Sequence, residues 1–178
     1  MGKIISNFFI SLDGVVESPD QWHFPYFNDE MGEVVTAGID TSKALLMGRT
    51  LYDEWAAYWP ESTDEPIATH FNTMPKYVIS GSLTDPTWNN TTVLPGDVDA
   101  LRRFKEGVDG DITMSGSATT VRWLLDNGLL DELRLLVHPI VVGGGQRLFE
   151  DTSTHKLALT GSSTLSTGVL NLTYVPAS

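Results

Sequence analysis

The chain has 178 residues, no cysteine, 11 Lys and Arg against 23 Asp and Glu, and a formal net charge of -12 at pH 7. That length suits one compact domain with a sizeable core, and the charge argues against a nucleic-acid partner, whose phosphates it would repel. The missing cysteines exclude disulfides and thiolate metal sites, and the four His show no H-E-x-x-H-type spacing, so no built-in metal is expected.

The first residues, Met1-Gly2-Lys3, run straight into Ile4-Ile5-Ser6-Asn7-Phe8-Phe9 without a secretory signal, and no apolar run is long enough to span a bilayer; a cytoplasmic location is expected. Lys3 to Ile10 reads as a strand, closed by the breaker Ser11-Leu12-Asp13-Gly14. Gly14 to Pro25 is a loop holding Trp22, His23 and Phe24, aromatics that either line a ligand pocket or cover the edge of the core. Tyr26 to Ala37 reads as a helix beginning near Asn28-Asp29-Glu30, with Asp29 and Glu30 in its first turn, where acids suit the helix dipole.

Ala44 to Met47 is a short buried strand, followed by Gly48-Arg49 and a helix from Thr50 to Trp59, where Leu51, Trp55, Tyr58 and Trp59 recur at helical spacing. Such a junction leaves unpaired helix N–H groups beside a permanently charged guanidinium, which is a candidate phosphate clamp as well as a plain strand–helix turn. Pro60 ends that helix. A short helix at Ile67–Thr73, a strand at Lys76–Ser80 closed by Gly81, and a short strand at Thr91–Leu94 follow. Then come an amphipathic helix at Asp97–Glu106, a strand at Asp111–Ser115, and a helix at Ala118–Asn127 ended by Gly128. Leu133–His138 is a strand leading into Pro139 and Gly143-Gly144-Gly145; Leu157–Ser166 and Val169–Val175 form a terminal hairpin turning at Thr167-Gly168.

Strands alternating with helices predict a three-layer α/β fold. Its central sheet is mixed but mostly parallel, helices cover both faces, and an antiparallel C-terminal edge closes it, all in one domain spanning residues 1–178. Three strand ends carry phosphate-friendly residues: Gly48-Arg49-Thr50, Ser80-Gly81-Ser82 and Ser115-Gly116-Ser117-Ala118-Thr119. In an open α/β sheet ligands bind at the carboxyl ends of strands, so the repetition predicts an extended dinucleotide site. No G-x-S-x-G or other nucleophile pattern is present, and His138 before Pro139 reads as a structural residue; this suits hydride transfer, in which the cofactor carries the chemistry.

The ordered segments S-L-D-G (Ser11–Gly14), L-M-G-R (Leu46–Arg49), V-I-S (Val78–Ser80), S-G-S (Ser115–Ser117) and H-P-I-V-V-G-G-G-Q-R-L-F (His138–Phe149) resemble the dihydrofolate reductase superfamily. They are most similar to the reductase domain of the bifunctional riboflavin-biosynthesis deaminase/reductase and its stand-alone relatives. W-H-F-P-Y-F (Trp22–Phe27) and A-A-Y-W-P (Ala56–Pro60) resemble the stand-alone branch.

The resemblance implies a dihydrofolate-reductase-like fold and an NADPH-dependent reductase passing hydride to a small heterocyclic or sugar-bearing substrate. The riboflavin-pathway pyrimidine, 5-amino-6-(5-phosphoribosylamino)uracil, is the leading candidate; a dihydrofolate or other carbonyl reductase, and a non-catalytic nucleotide-binding protein, are the alternatives. It implies cofactor contacts from Gly48, Arg49, Thr50, Ser80, Gly116, Ser117, Ala118, Thr119 and Gly143. Ser11 and Asp13 would orient the substrate or polarise the reacting carbon, with water as proton source. Gly14, Trp22, Asp29, Glu30 and Arg147 are the candidate substrate contacts. A homodimer is implied, with the terminal hairpin as candidate contact. Leu51 stands where the family pattern has Thr, Gly81 where Arg often follows, and Ser115 where a paired Gly is common; the cation missing at Gly81 opens the site to NADH as well as NADPH.

Overall fold

The computed structural model describes residues 1–177 and holds an eight-stranded sheet in the order β4-β3-β2-β5-β1-β6-β8-β7. β1 (Lys3–Ser11) lies between β5 (Asp111–Met114) and β6 (Glu132–His138), parallel to both. β2 (Ser42–Gly48) joins β5 to β3 (Lys76–Ile79), and β3 pairs with β4 (Thr91–Leu94), again all parallel. β8 (Leu170–Pro176) runs antiparallel to β6, and β7 (Leu157–Thr164) antiparallel to β8 at the edge. The parallel core and antiparallel edge are those expected from strand–helix alternation.

Alternate residues of each strand face opposite layers. On one face Ile4, Phe8, Leu46, Ile112 and Met114 pack under α4 (Val98–Gly107) and α5 (Ala118–Asp126) through Leu101, Val121 and Leu124. On the other, Leu45, Met47 and Val78 meet Tyr52 of α2 (Arg49–Tyr58), Phe71 of α3 (Ile67–Thr73) and Trp88. Further along that face, Leu136 and Phe9 pack against Met31 of α1 (Asp29–Asp40).

The first helix starts at Asp29, within the Asn28–Glu30 stretch expected for it, and runs to Asp40, three residues past Ala37. Asn28 caps it by accepting the Met31 N–H, while Pro25 helps fold Phe24–Tyr26 into a separate 3₁₀ turn. Asp97 and Ser117 cap α4 and α5 in the same manner, each cap worth about 1 kcal/mol. The remaining elements fall within two residues of their sequence-derived bounds; β2 starts two before Ala44 and β7 stops two short of Ser166. Among the described residues no helix is long and apolar enough to cross a membrane.

Candidate functional site

The parallel topology brings the carboxyl ends of β2, β5, β1 and β6 to one edge of the sheet. Gly48 ends β2 and is buried against the first turn of α5. A Cβ there would lie 2.6 Å from Thr120 Oγ1 and 3.4 Å from Ser117 Oγ, so only glycine allows this approach. The α5 start follows Gly116, whose φ is 119°, and a cis peptide joins Gly116 to Ser117. Ser117 Oγ accepts the Thr120 N–H and Ser117 O accepts the Val121 N–H. The N–H groups of Ala118 and Thr119 are then left without intrahelical partners at the positive end of a nine-residue helix. That donor set fits a diphosphate.

The clamp residues flanking it are differently engaged. Arg49 is part-exposed and lies 2.8 Å from Asp53 in an i,i+4 ion pair. Thr50 is exposed on the first turn of α2. Leu51 packs toward Gly116, 4.0 Å from where its Cβ would be. Ser80 Oγ accepts the N–H groups of Ser82 and Leu83, closing the turn after β3.

A second wall is formed by two long-range segments. Leu12 donates to Ile140 O, Val16 to Gln146 O and Leu148 to Gly14 O, and Val15 bridges Arg147 antiparallel. Asp13 clasps the pair: Oδ1 accepts the Ser11 hydroxyl at 2.6 Å and the Val142 N–H at 3.0 Å, and Oδ2 accepts the Gly143 N–H at 2.8 Å. The Ser11 hydroxyl and these two amides pull the Asp13 carboxyl down to about 2, so it is an anion at neutral pH. Arg147 Nε donates to Asp13 O at 3.1 Å, and Glu17 accepts the Gln146 N–H. Gln146 in turn reaches Thr119 Oγ1 at 3.4 Å, and Arg122 donates to the carbonyls of Arg147 and Leu148. The 143–148 loop therefore abuts the α5 start, and the two walls meet at the carboxyl ends of the strands.

Two of the other substrate candidates, Trp22 and Glu30, are engaged by neighbouring residues. Trp22 is only 7% exposed; its indole N–H donates to Glu17 O and its ring lies edge-on to His138. It covers the core edge, the second of the two readings its loop position allowed. Glu30 Oε2 accepts both the N–H and the hydroxyl of Ser166, tying α1 to the terminal hairpin, and those bonds hold its carboxyl below the usual range. Asp29 is exposed beside it.

Sequence spacing gave no hint of Glu17, Thr120, Arg122 or Gln146, whose roles depend on contacts across the fold. His138 also does more than end a strand. Its Nδ1–H donates to Leu136 O at 2.8 Å, which leaves Nε2 as a bare acceptor, buried and unpartnered among the described residues.

The RibD C-terminal domain family profile matches residues 2–171. The chain belongs to that family, a class of reductase domains with the dihydrofolate-reductase-like fold. It is 27% identical over 180 residues to YyaP of Bacillus subtilis strain 168, an uncharacterised protein, covering 97% of this chain and 94% of that one. Among solved structures, a Shewanella sp. PV-4 protein provisionally named for riboflavin biosynthesis superposes with a TM-score of 0.80 at 21% identity, covering 99% of each chain. Enterococcus faecalis dihydrofolate reductase, solved with NADP(H), superposes with a TM-score of 0.68 at 12% identity, covering 99% of this chain and 97% of that one.

Proposed function

We propose that the protein is an NADPH-dependent reductase of a small heterocyclic or sugar-bearing substrate, with the riboflavin-pathway pyrimidine, 5-amino-6-(5-phosphoribosylamino)uracil, as the leading candidate. The observation that carries this reading is the convergence of the Gly48 turn, the free N–H groups at the α5 start, and the Asp13-clasped loop at the carboxyl end of the sheet. Family membership supports it.

When bound, NADPH would supply the hydride from its nicotinamide C4. Gly116, Ser117, Ala118 and Thr119 hold the diphosphate through backbone N–H groups and hydroxyls. Gly48 lets the α5 start sit against the end of β2 and so places that donor set beside the α2 start, where Arg49 and Thr50, with Ser80, meet the adenosine 2′-phosphate. The Arg49–Asp53 pair is half exposed and weak, so the guanidinium is free to exchange partners. Asp13 keeps Ser11, Gly14 and Gly143 in place around the reacting ring; with its oxygens already hydrogen-bonded it acts by position and charge, and water supplies the proton. Arg147 stands beside Asp13 as the cation for a substrate phosphate.

A homodimer through the terminal hairpin is part of the proposal. Exposed Leu159 and Leu170 on the β7–β8 edge support it, and light scattering of wild type against Leu159→Lys tests it. The function is tested by titrating tryptophan fluorescence with NADPH and then NADH, followed by NADPH oxidation with the pyrimidine and with dihydrofolate. Saturable binding and turnover on the pyrimidine are expected. Binding without turnover on either compound points to a nucleotide-binding protein, and no binding of either nucleotide overturns the reading.

A further inference from the structure

On the α1 face of the sheet, beside the Ser11 turn, His138 sits in a box of aromatic rings. Phe9, Trp22, His23 and Tyr26 surround it, with centroids at 5.7, 5.2, 6.2 and 5.6 Å and planes within 7° of perpendicular. Its ring is fully buried, and Nε2 has no partner among the described residues. His23, 7% exposed, lies flat on Phe9 at 4.6 Å and 11°, and its Nδ1 is equally unpartnered. Two orphaned imidazole nitrogens in one apolar box are costly unless something else satisfies them.

Their placement relative to the cleft is fixed by the sheet. Phe9 is two residues before Ser11 and so shares its face, and Ser11 is the register partner of His138. The box therefore adjoins the Ser11–Asp13 turn.

We infer that the Phe9–His138 box is a slot for a flat, uncharged nitrogen heterocycle that stacks on Phe9 and donates a ring N–H to His138 Nε2, and that the chain's own His23 occupies this slot as a displaceable stand-in. The inference deepens the reductase reading above and rests on it for the substrate's place in the cleft.

Three features make the occupant displaceable. The N–H groups of Gln21, Trp22, His23, Tyr26 and Phe27 all end on carbonyls between Ser18 and Phe24, so the segment carries these bonds with it if it shifts. It departs from the clasped turn at Ser18, whose φ is 46°. Tyr26, besides its ring contact with His138, holds to the body by a long, exposed 3.4 Å hydrogen bond to Pro139 O. His138, by contrast, is fixed in one tautomer by Leu136 O and presents the same acceptor whether His23 is in or out. It is a positioning and selecting residue: it rewards a ring N–H and rejects a charged or N-substituted ring in a dry box.

The test is calorimetric titration, without nucleotide, of 5,6-diaminouracil and of its 1,3-dimethyl derivative, which lacks both ring N–H groups. The proteins are wild type, His23→Ala, His138→Phe and His138→Gln, each checked for folding by its melting curve. Removing self-occupancy in His23→Ala should tighten 5,6-diaminouracil about tenfold, because a ligand's apparent affinity falls with the fraction of protein open to it. His138→Phe should weaken it about tenfold, the scale of one hydrogen bond, and His138→Gln, which keeps an acceptor, should restore most of that. The dimethyl compound should be indifferent to residue 138.

Unchanged or weaker binding in His23→Ala overturns the slot, as does no binding of 5,6-diaminouracil to either wild type or His23→Ala. An equal loss for both compounds in His138→Phe overturns the N–H role of His138. A parallel NADPH titration separates the two readings. Nucleotide binding with no pyrimidine binding sinks the slot alone, and pyrimidine binding with no nucleotide binding sinks the reductase reading alone.

Discussion

The N–H of Gly143 meets the carboxylate of Asp13 at 2.8 Å, joining residues 130 apart in the chain. With the Val142 N–H and the Ser11 hydroxyl on the other oxygen, this one side chain fixes the Gly-rich loop against the end of β1. Asn at position 13 would present a donor to at least one of those donors. Asp13→Asn is expected to speed hydrogen exchange at Val142 and Gly143 and to lower turnover about tenfold or more through misplacement of the cleft wall. The clasp is also acid-sensitive. Its folded value, about 2, lies below the ordinary 3.8, so the stability it adds is present above pH 4 and is lost as pH falls from 4 toward 2. The acid limb of the wild-type stability curve should be shallower in Asp13→Asn.

Arg49 tests the cofactor assignment separately from the clasp. Its ion pair with Asp53 is solvent-exposed and contributes about 0.5 kcal/mol or less, so Arg49→Ala should leave the melting temperature almost unchanged. It should weaken NADPH about five- to tenfold and leave NADH unaltered, since only NADPH carries the 2′-phosphate. Fluorescence titrations of both nucleotides against both proteins check this. Asp53→Asn, which removes the competing carboxylate, should tighten NADPH slightly.

Gly48 gives a steric counterpart. The Cβ of Gly48→Ala would meet Thr120 Oγ1 at 2.6 Å, pushing α5 from the end of β2. NADPH binding should be lost or strongly weakened in Gly48→Ala and partly recovered in Gly48→Ala/Thr120→Ser, because the shared hydroxyl can rotate once the neighbouring methyl is gone.

Most of the scaffold was legible because each element carries a local signal. The apolar run at Ala44–Met47, the capping residues Asp97 and Ser117, and the breakers Gly128 and Gly168 all act within a few residues of themselves. The start of α1 was legible from Asn28 and the acids after it, since Asn28 caps the helix; its end was not, because α1 runs on through Gly38 to Asp40, past Ala37. The strand–Gly–helix junctions at Gly48 and Gly116 were likewise visible. The clasp was not: nothing near Asp13 marks Val142 as its partner, and the Glu17–Gln146 and Glu30–Ser166 bonds depend equally on topology. Lys76 was hidden for the same reason. Lysine in a strand reads as an exposed residue, yet here it is fully buried.

That lysine is a structural pin. Its ammonium donates to the carbonyls of Phe71, Asn72 and Met74 at 2.7, 3.2 and 2.8 Å, closing the C-terminal end of α3, and lies 4.5 Å over the Trp88 ring. Burial pushes its pKa down to about 8, so at neutral pH the charged form still makes these bonds. Lys76→Met fills the space but leaves the carbonyls unpaired, and a loss of about 2 kcal/mol is expected in denaturant unfolding. Nucleotide affinity should not change, since the pin lies on the far side of β2 from the cleft.

The paired imidazoles predict a second pH dependence, at the neutral end of the acid range. Burial lowers both His23 and His138; the His138 charge lowers His23 further, while Asp20 opposes the shift at His23 and the Leu136 and Ile10 carbonyls oppose it at His138. A base whose folded pKa is depressed binds its proton more readily unfolded. Stability is therefore full above about pH 6.5 and falls as pH drops below it, by at most about 1.4 kcal/mol per pH unit for each imidazole. His23→Phe keeps a ring against Phe9 but cannot titrate. Melting temperatures measured from pH 7.5 to 5 should fall less steeply in His23→Phe than in wild type. Equal slopes would mean that His23 is already as free to take up a proton in the folded chain as in the unfolded one, and that the box is open to water.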